Sequence, residues 1–175
     1  KNELELWKVE IPSMDNVPLI RFDEAKEMVS TAYDREIMDF EDFEPEEEKL
    51  LCEIVKRKSN SDFVFVTHYK SSKRPFYAMN SVDGIYTESF DLLFRGVEIT
   101  TGGQRIHDYN EQVIKMSGRG MNIEKFNSYL MSHKYGLPPH GGFGLGLERF
   151  TACLLNLPNV RYATLFPRDT NRLEP

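Results

Sequence analysis

The chain has 175 residues, with 22 Lys+Arg against 28 Asp+Glu and a formal net charge of −6. Apolar residues make up 40% and charged ones 29%, a balance that permits a packed core and excludes a disordered chain. No window reaches the roughly 18 unbroken apolar residues of a membrane span, and by bulk charge alone −6 argues against a nucleic-acid partner.

An extended start is expected from Trp7 to Ile20, broken by Pro12 and Pro18, followed by a helix near Phe22–Thr31. The N-terminal residues hold no signal-peptide apolar core, so a reduced, cytoplasmic setting is expected. A second helix is predicted to start near Pro45. Proline suits the first turn, Glu46-Glu47-Glu48 suit the positive helix end, and Lys56-Arg57-Lys58 suit the other. Leu50, Leu51, Ile54 and Val55 recur at helical spacing, and the charge run reads as a solvated helix face. Strands follow at Phe63–Val66, Pro75–Met79 and Ser89–Arg95, the last running on through Gly96 to Ile99. Helices are expected near Asn110–Met116 and Ile123–His133, with Asn122 as N-cap, and again over Leu147–Asn156. Cys52 and Cys153 sit in apolar helical contexts and form no disulfide framework or metal site. The expected fold is α+β: one unit, an antiparallel sheet with helices packed against it.

The charge is uneven. Residues 1–60 carry 9 basic and 17 acidic side chains, and the remainder 13 and 11. The negative balance therefore belongs to the first third, and the segment that bears the motifs is mildly basic.

Two clusters carry chemistry. The first is Glu98-Ile99-Thr100-Thr101-Gly102-Gly103-Gln104-Arg105-Ile106-His107-Asp108. Simple alternation groups Glu98 with Thr100, or Ile99 with Thr101, on one strand face. The Gly102-Gly103 pair allows a bulge or a ligand's close approach beyond that point. Glu98 and Thr101 offer hard oxygen ligands suited to Mg²⁺, and Arg105 has the geometry to grip a carboxylate or phosphate. An edge hairpin with solvent-facing polar residues fits the same spacing.

The second cluster is His140-Gly141-Gly142-Phe143-Gly144-Leu145-Gly146-Leu147-Glu148-Arg149-Phe150. Glycine at 142, 144 and 146 strips one strand face to backbone, leaving a floor for a flat ligand, or else a tight packing surface. Arg149 falls in the first turns of the following helix, with Glu148 beside it. His107 and His140 belong to these clusters, as site-lining or structural residues; His68 and His133 read as packing or surface residues. There is no zinc-type spacing, no Ser-His-Asp pattern and no Rossmann fingerprint.

Together the clusters resemble class II aminoacyl-tRNA synthetases, with Gly142-Phe-Gly-Leu-Gly-Leu-Glu-Arg149 matching motif 3, about residues 138–160. Within the class, four stretches resemble aspartyl-tRNA synthetases of archaeal and eukaryotic type. They are Phe90-Asp91-Leu92, Arg95-Gly96-Val97-Glu98, Gly102-Gly103-Gln104-Arg105-Ile106-His107-Asp108 and Phe166-Pro167-Arg168-Asp169. The approach Tyr135-Gly136…Pro138-Pro139-His140 fits as well.

The resemblance implies ATP and Mg²⁺ as cofactors, with Glu98 and Thr101 holding the metal. ATP would contact Glu98, Ile99, Gly144, Gly146 and Arg149, the last at the γ-phosphate; Glu98 and Arg149 are the residues expected to act in catalysis. Thr101, Arg105 and His107 would line the amino-acid site, Arg105 binding the aspartate side-chain carboxylate. The implied partners are aspartate, tRNA(Asp), with tRNA(Asn) left open, and a second subunit in a homodimer. The implied reaction makes aspartyl-adenylate and pyrophosphate, then transfers the aspartyl group to tRNA.

Motifs 1 and 2 and the anticodon-reading OB-fold are not visible in the 175 residues. The resemblance, which runs from about residue 18 to the end, therefore implies a C-terminal portion of a catalytic domain, inactive by itself. An asparaginyl-tRNA synthetase, a synthetase-like asparagine-forming enzyme and a non-catalytic synthetase-like binding module remain as alternatives.

Overall fold

The computed structural model describes residues 2–174. A short helix α1 (Asn2–Leu6) precedes the segment from Trp7 to Ile20 expected to be extended. Strand β1 (Leu19–Arg21) leads directly into α2 (Phe22–Tyr33), whose buried Phe22, Ala25, Lys26 and Val29 recur at helical spacing. Helix α3 (Pro45–Ser59) begins as expected, with Pro45 in its first turn and the Glu44 N–H donating 2.8 Å to the Glu47 carboxylate. It stops where Asn60 turns left-handed, at φ 55°.

The charge run on α3 is not wholly solvated. Glu47 is buried and pairs with Lys26 of α2 at 2.7 Å, each side chain 3% exposed. Lys26 also donates to the Asp42 carbonyl at 2.8 Å. The pair ties the two helices together, and removing one partner strands a buried charge. Lys26→Ala is accordingly expected to cost about 3–5 kcal/mol in urea unfolding, and the double variant Lys26→Met/Glu47→Leu to recover most of that. A double variant as unstable as the single one would refute this account.

The sheet continues with β2 (Phe63–Thr67), β3 (Ser89–Phe94), β4 (Val97–Gln104) and, after α4 (Tyr109–Gly118) and α5 (Asn127–Lys134), β5 (Gly141–Leu145). Spatial order equals chain order. The pairing is antiparallel except that β1 runs parallel to β2, because the two helices between them carry the chain back to the edge where it started. Arg95 and Gly96 make the β3–β4 turn, both at positive φ (48° and 87°), as a two-residue hairpin with right-handed twist requires. Asp108 caps α4 by accepting the Glu111 N–H at 2.8 Å, and Asn122 caps the 3₁₀ turn Ile123–Phe126 ahead of α5. Helix α6 (Leu147–Leu154) closes the motif-bearing segment.

Two cores flank the sheet. Val64, Val66 and Leu93 pack under α2 and α3. Phe63, Leu92, Phe94 and Ile99 pack on the other face against Phe150, Cys153 and Leu154 of α6. His133 is buried, with its ring 3.2 Å from the Ile106 carbonyl, which confirms it as a packing residue.

Pro75–Met79 is not a strand. Proline has no N–H to give a ladder, and the Ala78 N–H turns back to the Pro75 carbonyl at 3.0 Å. The segment belongs to a long loop, residues 68–88, that touches the sheet through the Ala78–Arg105 bridge.

Candidate active site

The decisive local feature is a bulge in β4. Leu93 pairs with Glu98 and Leu92 with Thr100, leaving Ile99 as the extra residue. Asp91 then pairs with Thr101. Paired residues share a face, so Asp91, Glu98 and Thr101 project together although Glu98 and Thr101 are three apart. This corrects the simple alternation expected from spacing, and the bulge lies before Thr101, not at Gly102-Gly103. Gly144 of β5 pairs with Thr101 and joins the same face.

A cavity of about 550 Å³ opens here, lined among others by Lys73, Arg74, Tyr77, Thr101, Arg105 and Gly144. Arg105 lies over the Tyr77 ring, 4.7 Å from its centroid, and donates from Nη2 to the Gly142 carbonyl at 3.2 Å. Its position is fixed by these neutral groups, and among the described residues it makes no ion pair. Arg74 is different: it pairs with Asp91 at 2.5 Å, donates to Thr101 Oγ1 at 2.9 Å and stacks on Tyr69, 3.7 Å from its centroid. Lys73 leans on Asp39 at 3.6 Å.

Glu98 stands farther along the same face. Arg149, from the first turn of α6, donates to the Glu98 carbonyl at 3.0 Å and approaches its carboxylate to 3.8 Å. Burial pushes the Glu98 carboxyl above its usual range, the Asp91 charge adds to this, and Arg149 and Arg74 oppose it. Glu48 of α3 is pushed to about 7, first by burial and then by the Glu98 and Asp91 charges, against the Glu98 N–H and Arg149.

The donor set fits Mg²⁺. Asp91 Oδ1 is buried without a hydrogen-bond partner, on the face that also presents Glu98 and Thr101. Among the described residues no three His, Cys, Asp or Glu side chains form a metal cage. Mg²⁺ does not need one, since it binds through one or two carboxylates plus substrate phosphates.

The remaining residues expected at the site are placed less directly. The Ile99 side chain is buried in the opposite core, and only its backbone turns toward the site, accepting the Gly146 N–H at 2.8 Å. Arg149 and Gly146 do not line the 550 Å³ cavity, and Arg149 instead borders a neighbouring one of about 290 Å³. His107 is half-buried outside the cavity lining, its Nδ1 buried and unpartnered. His140 is exposed and bonds the Pro138 carbonyl at 3.0 Å.

Sequence reasoning gives no role to Lys73, Arg74, Tyr77, Asp91 or Glu48. Two signals point to three of them: Lys73-Arg74 directly before Pro75, and a carboxylate, Asp91, inside the apolar strand Ser89–Phe94.

The profile of tRNA synthetases class II (D, K and N) matches residues 4–170. The chain is 47% identical over 175 residues to aspartate–tRNA(Asp/Asn) ligase of Thermus thermophilus, covering 99% of this chain and 41% of that protein. It superposes on the aspartyl-tRNA synthetase of Entamoeba histolytica with a TM-score of 0.90 at 37% identity, covering 98% of this chain and 36% of that one. With the asparaginyl-tRNA synthetase of Pyrococcus horikoshii complexed with asparaginyl-adenylate the TM-score is 0.87 at 30% identity, over 99% and 40%. The chain thus spans about two-fifths of the length of the curated relatives it matches, and no described helix is long and apolar enough to cross a membrane. With the bulged strand, the glycine strand and its arginine all inside the matched span, the chain belongs to the class II tRNA synthetases (D, K and N).

Proposed function

We propose that the chain is the C-terminal portion of the catalytic domain of an aspartate–tRNA ligase. In the whole protein that domain joins aspartate to ATP, releasing pyrophosphate, and passes the aspartyl group from the adenylate to tRNA(Asp). The Asp/Asn name of the Thermus relative extends the proposal to tRNA(Asn), and the functional form is a homodimer in the cytoplasm.

One observation carries the choice of amino acid. Arg105 opens into the cavity with its charge unmatched by any described acidic group, whereas Arg74 is matched by Asp91 and Lys73 by Asp39. A fixed guanidinium without a counter-ion selects a side-chain carboxylate over a neutral amide. An asparagine-linked enzyme is the second reading, favoured by the shared fold of the Pyrococcus structure; the unmatched Arg105 speaks against it.

The other residues divide the remaining work. Arg149 supplies a cation for the outer phosphate of ATP, and the glycine strand supplies a floor without side chains. Asp91, Glu98 and Thr101 would hold Mg²⁺, which when bound neutralises charge on the phosphates. Arg74, locked between Asp91, Thr101 and Tyr69, keeps those oxygens in place. This is catalysis by positioning and preorganised charge.

ATP–pyrophosphate exchange by the full-length protein tests the reading. Exchange is expected with aspartate and not with asparagine, and none from these 175 residues alone. Exchange driven by asparagine would overturn it.

The glycines separate folding from binding. A Cβ on Gly102 would meet Phe143 Cβ and Phe90 Cζ at 2.7 Å, while nothing lies within 4 Å of one on Gly144. Gly102→Ala is expected to cost about 1–3 kcal/mol of stability through overpacking. Gly144→Val should leave stability within about 0.5 kcal/mol of the parent and raise the KM for ATP. A thermal melt beside an ATP titration reads both; an unchanged KM in Gly144→Val would remove the glycine strand from the ATP site.

A further inference from the structure

The loop over residues 68–88 brings Lys73, Arg74 and Tyr77 to the cavity, yet its pairing is limited to isolated bridges, Lys70–Tyr86 and Asn80–Thr87 within the loop and Ala78–Arg105 to the sheet. Ordering such a segment costs about 1–2 kcal/mol per residue in backbone entropy. One face of α4 holds it. Gln112, fully buried, donates from Nε2 to the Phe76 carbonyl at 3.0 Å and accepts from the Tyr129 hydroxyl at 3.3 Å. Lys115 donates from Nζ to the Ala78 carbonyl and to Asn80 Oδ1, both at 2.5 Å. Arg119 donates to the Ser71 carbonyl at 2.5 Å. Positions 112 and 115 lie on one face of α4, Arg119 follows at its C-cap, and their targets bracket the Lys73–Tyr77 stretch on both sides.

Neither Gln112 nor Lys115 lines the cavity. Their targets do adjoin residues that matter there. The Phe76 carbonyl precedes Tyr77, on which Arg105 stacks, and the Ala78 carbonyl follows it. The Tyr77 carbonyl itself accepts the Ile106 N–H at 3.0 Å, and the carbonyls on either side of it are held from α4. Lys115 is a strong holding group because it is half-buried and bonds two acceptors at once; burial and the neighbouring Arg119 charge push its ammonium down to about 8.

We propose that Gln112 and Lys115 are positioning residues for the amino-acid pocket, acting through the 68–88 loop to fix Tyr77 behind Arg105, while Arg74 keeps its own ties to Asp91, Thr101 and Tyr69. This rests on reading the cavity as the aspartate site. The consequence is selective: loosening the clamp disturbs the amino-acid pocket while the ATP residues on β4, β5 and α6 stay in place.

The test uses the full-length enzyme in ATP–pyrophosphate exchange. Lys115→Met is expected to raise the KM for aspartate about tenfold, a shift typical of one lost charged hydrogen bond, with the KM for ATP unchanged. Lys115→Arg should restore most of the loss, since it keeps the charge and the donors. Asn80→Ala removes one acceptor and leaves α4 intact, so a smaller selective rise is expected there even if Lys115→Met fails to fold. An unchanged aspartate KM in folded Lys115→Met or in Asn80→Ala overturns the positioning role. Equal rises in both KM values with a lowered melting temperature also overturn it, as they mark a contact that serves folding alone. Absence of aspartate-dependent exchange in the unmodified enzyme would instead overturn the functional reading beneath it.

Discussion

Replacing Arg105 by lysine in the full-length enzyme is expected to lower kcat/KM for aspartate by about 10²–10³-fold, the loss that follows when a desolvated charge pair is broken. The substitution keeps the charge and removes the geometry. In the present arrangement one side of the guanidinium is anchored, with Nη2 on the Gly142 carbonyl and the plane over Tyr77. A planar fork can hold that anchor and still present parallel N–H groups to a carboxylate; a lysine ammonium cannot do both. The KM for ATP should stay within about twofold, because additivity holds for sites without shared partners and the β4–α6 contacts of Glu98 and Arg149 do not include Arg105. Arg105→Gln should lose still more with aspartate and shrink the preference over asparagine, since it deletes the unmatched charge. Parallel measurements of exchange with both amino acids decide the matter. An Arg105→Lys enzyme that handles aspartate like its parent would take Arg105 out of the amino-acid site.

What could be read from sequence was what is encoded locally. Pro45 and the glutamates after it mark the start of α3, and its apolar spacing marks the buried face. The glycine strand followed by Leu147 marks the passage into α6, whereas the run from Ser89 through Gly96 to Ile99 is not one strand but two, turned at Arg95-Gly96. The rest depends on partners remote in the chain. Glu47 looks like one of three solvated glutamates until Lys26, 21 residues away, is brought against it. Glu98 and Thr101 reach one face only because β3 pairs around Ile99, and a strand's own pattern does not reveal how its neighbour skips a residue. Arg74 becomes a site residue because the 68–88 loop folds back over Asp91, held by hydrogen bonds from α4 that no periodicity announces. The parallel β1–β2 pair is similarly a product of the helices that return the chain to its starting edge.

Arg149→Ala is expected to lower kcat/KM for ATP by about 10²–10³-fold, the typical cost of deleting one preorganised donor to a charged group. Two contacts hold the Arg149 side chain in position. Its Nη1 bonds the Glu98 carbonyl, and its stem lies against Gly146, where a Cβ would sit 3.4–3.6 Å from the arginine's aliphatic carbons. Placed in the first turn of α6, it adds its charge to the positive end of the helix. The same substitution has a second consequence with a definite sign. Arg149 opposes the upward shift of both Glu98 and Glu48, so without it both carboxyls are protonated at still higher pH. Glu48 already stands at about 7, so the acid limb of the exchange profile, below which activity falls, should move toward alkaline pH in Arg149→Ala. Arg149→Lys keeps the charge without the fork; it should hold the acid limb near its parent position while recovering only part of the ATP efficiency. Phosphate recognition and electrostatic support of the carboxylates are then separable. If the acid limb of Arg149→Ala coincides with that of the parent, the arginine serves the phosphate alone and the Glu48–Glu98 pair must be set by burial and by Asp91.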